Sequence, residues 1–325
     1  MRAAIFVEPG KIELGEIKIP EPGPEEVLVR LEGCGVCASN LPLWEGRPWF
    51  KYPLEPGAPG HEAWGVVAQA GDRVKHVHAG DRVALLSGHG YADYDLAPAH
   101  SVLALLPPLS GKPFPGEPLG CASNIYRRSG ISSGQTVAVV GIGFLGALLT
   151  QMAVRQGARV IALSRRPFAL ETASRCGAEE VLPLNGQDGI VQEVYGKTGG
   201  KGCDVVIECA GQQSTLDLAG ELVRIRGRLV IAGYHQEGVR RVNMQLWNWR
   251  GLDVINAHER EAAVYLEGIR SAMVSQCAGQ LNPLPLYTHA FELTRLPEAF
   301  EVLRERPPGF LKGLMLNGGN KATWQ

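Results

Sequence analysis

The sequence lacks an excess of charge of either sign. Its 325 residues include 32 Lys and Arg against 33 Asp and Glu, which gives a formal net charge of −1. No long block of like charge stands out along the chain. Proteins that bind nucleic acid usually carry a basic patch or stripe. We therefore expect no nucleic-acid partner.

Long apolar runs are also missing. A helix that spans a bilayer needs about 18 or more apolar residues in succession, and the apolar stretch 137–153 is interrupted by glycines and Gln151. Residues 1–15 alternate between apolar and polar side chains around Pro9-Gly10 and do not resemble a signal peptide. We expect no membrane partner and a cytoplasmic location.

Cysteine does not form a recognisable disulfide framework. The seven cysteines are odd in number and scattered, which fits a reducing compartment. A length of 325 residues predicts two domains. The 41 glycines exceed the roughly 23 that average usage predicts, which indicates many tight turns or close backbone approaches.

The pattern of predicted secondary structure changes near residue 131. Before it, short β-like runs (3–7, 26–31, 65–70, 82–86 and 101–106) are separated by Pro, Gly and Asp. After it, apolar strands (136–140, 159–163, 204–208 and 228–232) alternate with helical patterns (145–156, 168–176 and 213–223), and a helix (296–304) and a strand (310–316) close the chain. This alternation predicts a parallel sheet covered on both faces.

A glycine turn follows the strand 136–140 and opens a helix. It has the sequence Gly141-Ile142-Gly143-Phe144-Leu145-Gly146. In a dinucleotide-binding turn, the first glycine permits the tight bend, the second lets the backbone approach a pyrophosphate, and the third lets the helix pack on the strand. The turn therefore predicts a dinucleotide cofactor bound at the helix N-terminus.

The residues after the next strand predict which dinucleotide binds. A carboxylate at this place bonds the ribose 2′-hydroxyl of NAD, but the chain has Ser164-Arg165-Arg166-Pro167. Guanidinium groups suit a 2′-phosphate. We expect a preference for NADP(H) over NAD(H); the alternative is that both arginines face solvent.

The β-rich part contains a thiol, an imidazole and a carboxylate with metal-ligand chemistry. They lie in the loop 33–40, with Cys34 and Cys37, and in Gly60-His61-Glu62. Each has a simpler interpretation, since a buried cysteine is commonly a small hydrophobe and a histidine a hydrogen-bonded structural residue. A redox role for the two cysteines would require a βαβ pattern, which is missing here.

These segments together resemble the zinc-containing medium-chain dehydrogenase/reductase family of alcohol and sorbitol dehydrogenases. The resemblance rests, in order, on GCGVCASN, GHEAWGVV, GDRVAL, GYADYDLAP, EPLGCASNIYRRSGI, GIGFLG and RLPEAFEVL. It implies an α/β fold with a GroES-like, β-rich catalytic domain over 1–125 and a doubly wound Rossmann domain over 126–285. Residues 286–325 would return to the catalytic domain.

The resemblance also implies site residues. Cys37 and His61 would be catalytic zinc ligands, with Glu62 a near or exchangeable ligand. The third position falls on Glu117, as in the polyol-dehydrogenase branch, or on Cys121, as in the classical alcohol-dehydrogenase branch; we favour Glu117. Three protein ligands leave a position open for substrate. Ser39 matches the proton-relay hydroxyl of the family, and its alternative role is to stabilise a turn.

The chain departs from the family pattern in two places. Between residues 83 and 91 it has no cysteine and no room for the lobe that holds a structural zinc, so we expect one zinc ion per chain. Asn40 stands where the family commonly has an aspartate that orients the ligand histidine, so we expect a weaker, neutral acceptor for His61. Lys312 matches a basic residue that meets cofactor phosphate, or is a surface lysine.

The sequence therefore predicts a zinc-dependent, NADP(H)-preferring alcohol dehydrogenase or carbonyl reductase that acts on a small alcohol, aldehyde or ketone. The alternatives are a zinc-free quinone or enone reductase of the same superfamily and a non-catalytic nucleotide-binding sensor. The resemblance implies a homodimer or homotetramer, with substrate between the two domains. Trp44, Trp49, Phe50 and Trp64 would line an apolar substrate pocket or belong to the core.

Overall fold

A computed structural model describes residues 1–184 and 189–318. Its strands are β1 (Arg2–Glu8), β2 (Lys11–Glu16), β3 (Glu26–Val36), β4 (Ala63–Ala70), β5 (Arg82–Leu85), β6 (Tyr94–Pro98), β7 (Val102–Ala104), β8 (Thr136–Val140), β9 (Arg159–Ser164), β10 (Glu180–Pro183), β11 (Cys203–Glu208), β12 (Val223–Ile231), β13 (Asp253–Asn256), β14 (His289–Glu292) and β15 (Gly313–Leu316). Its α-helices are α1 (Leu41–Trp44), α2 (Gly116–Ser129), α3 (Phe144–Arg155), α4 (Pro167–Arg175), α5 (Ile190–Lys197), α6 (Gln213–Leu222), α7 (Met244–Arg250), α8 (Ala262–Cys277) and α9 (Leu296–Glu305).

The chain divides into two compact units. Unit 1 comprises Met1–Gly120, Tyr265–Ala278 and the chain from Pro283 onwards, and unit 2 comprises Cys121–Val264 and Gly279–Asn282. Most of α8 thus belongs to unit 1, whereas the sequence assigned it to the parallel-sheet domain. The reason is packing: Gly120 in α2 has no side chain, and Ile269 of α8 lies against it.

In unit 1, the central strand is β3. It pairs antiparallel with β4, β6 and β15 in a seven-stranded sheet whose main order is β14-β15-β3-β4-β5-β7. The alternation of β3 buries Val27, Val29 and Leu31 in one core cluster. The same cluster contains apolar residues of α9, including Phe300. The C-terminal helix therefore completes the core of the β-rich unit.

Unit 2 has a six-stranded, fully parallel sheet. Its order is β10-β9-β8-β11-β12-β13, which is the 3-2-1-4-5-6 order of doubly wound dinucleotide-binding folds. The strands have continuous apolar runs because helices cover both faces, and residues 137–140 of β8 are fully buried. The predicted α/β fold class is confirmed.

The observed elements differ from the predicted ones in a few bounds. The predicted helix 213–223 ends one residue earlier, and β12 begins at Val223 instead of residue 228. Val223 pairs with Cys203 and Arg228 with Val205, so the strand is irregular in between, where Arg226 has a φ of 55°. The predicted strand 310–316 is limited to residues 313–316 of β15. Within the described ranges, no helix combines the length and apolar character needed to cross a membrane.

Replacing Ile161 by Ala tests the packing of the parallel sheet. Ile161 in β9 is fully buried within the core cluster of unit 2, and such a truncation costs about 2–5 kcal/mol of the free energy of unfolding. The control is Ile225→Ala in β12, where the side chain is 65% exposed and a change within about 0.5 kcal/mol is expected. Urea unfolding measures both; equal losses would contradict the assigned core.

Candidate active site

The expected zinc ligands lie at the junction of two paired strands. Cys37 directly follows β3, and His61 and Glu62 directly precede β4. In the antiparallel register, Cys34 lies opposite Ala63. The end of β3 therefore meets the start of β4, and this brings Cys37 to the histidine and the carboxylate.

The three side chains form a compact donor set. One ligand atom from each of Cys37, His61 and Glu62 lies within 4.8 Å of the others. Ligands on a tetrahedral zinc ion with bonds of about 2.0–2.3 Å lie about 3.3–3.8 Å apart, so small side-chain movements would close the set around one ion. Thiolate, imidazole and carboxylate are all zinc ligands. The residues present therefore fit zinc.

A backbone carbonyl fixes the orientation of the imidazole. Nδ1 of His61 lies 2.9 Å from the carbonyl oxygen of Pro59. Because a carbonyl only accepts, Nδ1 carries the proton and Nε2 is left as the ligand atom. Asn40 is not the acceptor expected from the sequence, since its amide nitrogen donates to the same Pro59 carbonyl at 3.3 Å and to the Tyr91 hydroxyl at 3.4 Å. Asn40 and His61 are thus connected only through the Pro59 carbonyl oxygen that both contact.

The electrostatics of the pair Cys37 and His61 favour a cation between them. Burial alone lowers the pKa of His61, but the hydrogen bond with Cys37 and the negative charge of its sulfur outweigh burial and raise this pKa to about 10. The pair therefore binds a proton tightly. A metal ion would take the place of that proton on the same two donor atoms.

Ser39 contacts the same thiol. Its Oγ donates a hydrogen bond to Sγ of Cys37 at 3.2 Å. The residue belongs to a single 3₁₀ turn, Ala38–Asn40, that begins after Cys37. The hydroxyl is thus at the edge of the donor set, where a relay group would have to be.

Lys312 forms a buried ion pair with Glu62. Its Nζ lies 2.7 Å from Oε1 and 2.5 Å from Oε2 of Glu62, and the exposed fractions of the two residues are 5% and 0%. Burial lowers the pKa of Lys312, but the charges of Glu62 and Cys37 raise it above its usual value. The alternative of a surface lysine is wrong, because the side chain is buried. The contact that the structure shows is an ion pair beside the donor set, and the contact with cofactor phosphate stays a prediction.

The backbone makes room for this carboxylate at Gly35. A Cβ at that position in β3 would lie 1.7 Å from Oε2 of Glu62. No real side chain fits at such a distance. The close approach of Glu62 therefore explains why residue 35, within the glycine-rich loop 33–40, is a glycine.

The two alternatives for the third ligand are in different surroundings. Glu117, at the start of α2, is close enough to His61 for its charge to raise the histidine pKa. The hydroxyl of Tyr265 donates a short hydrogen bond to the Glu117 carboxylate. Cys121 belongs to unit 2. There it lies close enough to Cys209 to act on its pKa, which is raised mainly by burial, then by the charge of Glu208 and then by that of Cys121. Neither residue is in the three-residue donor set.

The aromatic residues divide between core and surface. Trp44 and Trp64 are buried, with 4% and 2% exposure, and Trp44 stacks on Phe300 at 5.3 Å. Trp49 is half exposed and packs beside Phe50 at 6.0 Å. For Trp44 and Trp64 the core interpretation is therefore the right one. Trp49 and Phe50 stay candidates for a substrate wall.

In unit 2, the glycine turn has the geometry that a dinucleotide-binding turn needs. Gly141 has a φ of +98°, and a Cβ on Gly146 would lie 2.2 Å from the Gly141 carbonyl oxygen. By contrast, a Cβ on Gly143 would meet no heavy atom within 4 Å, so space is open at the N-cap of α3. Phe144 and Leu145 form the first turn of that helix. The first glycine bends the chain, the third permits close packing, and the second leaves an approach for a phosphate.

Arg166 connects the glycine turn with the end of β9. Its Nη2 donates to the Ile142 carbonyl at 3.2 Å, and its backbone nitrogen donates to Oγ of Ser164 at 3.3 Å. Arg165 is exposed beside it. A cationic group thus lies at the place where the ribose of a bound dinucleotide would be recognised.

Three contacts of the site have no signal in the sequence. They are the contact of His61 with the Pro59 carbonyl, the Lys312 ion pair and the Tyr265 hydroxyl. The first joins residues only two positions apart, whereas the other two join residues 250 and 148 positions apart. Only the strand register of β15 could have indicated one of them, because Gly313 pairs with Val36 and therefore places Lys312 near the end of β3.

Comparisons with known proteins agree with this architecture. The family profile "Alcohol dehydrogenase GroES-like domain" matches residues 23–107, and "Zinc-binding dehydrogenase" matches residues 145–265. Sorbitol dehydrogenase from Homo sapiens is 30% identical over 338 residues, which cover 91% of this chain and 91% of that protein. Sorbitol dehydrogenase from Mus musculus is 30% identical over 337 residues, with the same coverage of both chains.

Solved structures extend the likeness to three dimensions. The alcohol dehydrogenase TADH from Thermus sp. ATN1 has a TM-score of 0.83 at 25% identity, covering 97% of this chain and 99% of that one. A zinc-binding dehydrogenase from Sinorhizobium meliloti 1021 bound to NADP has a TM-score of 0.84 at 27% identity, covering 97% and 98%. The chain belongs to the zinc-type medium-chain dehydrogenase/reductase family of alcohol and sorbitol dehydrogenases, and it is an oxidoreductase.

Substitutions of Glu117 and Cys121 distinguish the two candidate third ligands. We expect Glu117→Gln to weaken zinc binding by at least about tenfold, because the amide lacks the charge that acts on His61. Cys121→Ser should leave zinc binding unchanged. Chelator competition on each purified variant measures the affinity, and circular dichroism checks the fold. The reverse pattern would assign the ligand role to Cys121.

Proposed function

We propose that this oxidoreductase is a zinc-dependent alcohol dehydrogenase or carbonyl reductase that transfers a hydride between a nicotinamide cofactor and a small alcohol or carbonyl compound. The observation that carries the proposal is the convergence of Cys37, His61 and Glu62 within 4.8 Å. A zinc-free quinone reductase would have no use for three such donors. The donor set therefore favours the zinc enzyme.

Cys37, His61 and Glu117 would hold the ion, with Glu62 as a near or exchangeable ligand, so that one position stays open for substrate. When bound, zinc acts as a Lewis acid that makes a substrate hydroxyl more acidic or polarises a carbonyl. The chain contributes orientation: Pro59 fixes the imidazole through Nδ1, and Lys312 holds the Glu62 carboxylate. One zinc per chain is proposed.

Ser39 is proposed to move the proton. Its Oγ donates to Sγ of Cys37 at 3.2 Å, so the hydroxyl lies beside the atoms that would bind the substrate oxygen. In alcohol oxidation, this oxygen would accept the substrate proton and pass its own outward. The nicotinamide, when bound, would supply the hydride acceptor for the substrate carbon, which accounts for both electrons.

NADP(H) is the proposed cofactor. Support comes from the absence of a carboxylate in Ser164-Arg165-Arg166-Pro167 and from the position of Arg166 beside the glycine turn. Guanidinium groups bind phosphate by charge-assisted hydrogen bonds. The similar Sinorhizobium dehydrogenase was solved with NADP bound, which agrees with this preference.

Cys37→Ala tests the zinc chemistry. Loss of the thiolate should remove bound zinc and lower turnover by at least about 10³-fold, because the Lewis acid is lost with it. The matched control is Cys277→Ala in α8 of unit 1, which should retain both zinc and turnover. Elemental analysis and a panel of alcohols and carbonyls give the measurement, with sorbitol included because sorbitol dehydrogenases are similar along most of the chain. Full activity without zinc would refute the proposal.

Arg166→Asp tests cofactor preference. A carboxylate in place of the guanidinium repels a 2′-phosphate and can bond a 2′-hydroxyl, so the ratio of kcat/KM for NADPH over NADH should fall at least about tenfold, or about 1.4 kcal/mol. Arg175→Asp at the other end of α4 is the control and should leave the ratio unchanged. If both variants kept the wild-type ratio, Arg166 would have no part in recognition.

A further inference from the structure

The buried pair Glu62 and Lys312 has an unusual position. Both oxygens of the carboxylate lie within 2.7 Å of Nζ, while the same carboxylate belongs to the donor set with Cys37 and His61. The Lys312 ammonium and any bound metal ion would therefore compete for the same Glu62 carboxylate. A carboxylate oxygen that already accepts a hydrogen bond from an ammonium group donates less electron density to a metal ion. It is therefore a weaker metal ligand.

The charges around the donor set show what Lys312 contributes. The charges of Glu62, Cys37 and Glu117 all act on it. With zinc bound, the Cys37 thiolate and the two carboxylates would carry three negative charges, which the Lys312 ammonium and one divalent cation would balance. Without the ammonium, one negative charge would stay uncompensated after zinc binding, and such a buried charge is costly.

We propose that Lys312 is a positioning residue that holds Glu62 partly away from the metal ion and so keeps a coordination position open for substrate. The inference rests on the proposed zinc function. Gly35 leaves the space that Oε2 of Glu62 occupies, and this is the same oxygen that lies 2.5 Å from Nζ of Lys312. Glu62 is therefore confined between the backbone of β3, Lys312 and the donor set.

The proposal predicts that removing Lys312 tightens zinc binding. In Lys312→Met, Glu62 loses its counter-cation and turns fully to the ion, so zinc affinity should rise at least about tenfold, or about 1.4 kcal/mol. Turnover should fall, because the substrate position is then filled. A merely structural role predicts the opposite for affinity, since a damaged site binds zinc more weakly. Lys312→Arg keeps the charge and should stay within about threefold of the wild-type affinity.

Chelator competition measures zinc affinity, and the visible spectrum of the Co²⁺-substituted protein reports the coordination number. Lys112→Met, an exposed lysine of unit 1, controls for loss of one positive charge and should change neither. In a Glu62→Gln background, Lys312→Met should give no gain, because the carboxylate through which Lys312 acts is gone. If Lys312→Met folds only with zinc present, the zinc dependence of its folding measures the affinity, with the same expected gain; if it folds under no condition, Lys312→Gln replaces it with the same expected gain.

An unchanged or weaker zinc affinity in folded Lys312→Met overturns the inference, and so does a gain that persists in the Glu62→Gln background. A loss of NADPH affinity with unchanged zinc binding would also overturn it and restore a cofactor role for Lys312. Failure of the proposed function is distinguishable, because the wild-type protein would then hold no zinc at all.

Discussion

The antiparallel pairing of β3 with β4 is the constraint on which the candidate centre depends. Cys34 lies opposite Ala63, so the residues just beyond these strands must meet. A slip of one residue would turn every side chain to the opposite face and separate Cys37 from His61. The pairing of β15 with β3, with Gly313 opposite Val36, adds Lys312 to the same place. Three strands of one sheet thus build the centre from distant parts of the chain.

The centre also shows how a protein tolerates buried charge. Isolated ions are costly away from water, and they persist when they are paired or bind a metal. Here Cys37 is hydrogen-bonded to His61, Glu62 is ion-paired with Lys312, and Glu117 accepts a hydrogen bond from Tyr265. Each pair lowers the cost of one anion, and the ligand atoms of Cys37, His61 and Glu62 still lie within 4.8 Å of one another.

How much the sequence predicts depends on how local the determining interactions are. The strand of β8 and the turn Gly141 to Gly146 were predicted because the apolar run and the glycine spacing are local. Cys37 and His61 were found through a family resemblance, which carries information about the sheet register that a single sequence does not. The ion pair of Lys312 with Glu62 was not predicted, and Asn40 was given the wrong partner, since both contacts join residues that tertiary packing brings together. The grouping of most of α8 with unit 1 was not expected either, because the contact of Ile269 with Gly120 also depends on tertiary packing.

Gly35 lies in β3 with no space for a side chain beside Glu62. The floor under this carboxylate is therefore main chain. A side chain at residue 35 would have to displace the carboxylate before it could be accommodated. Residues 35 and 62 are therefore constrained as a pair, so we expect related sequences to keep both residues or to change both together.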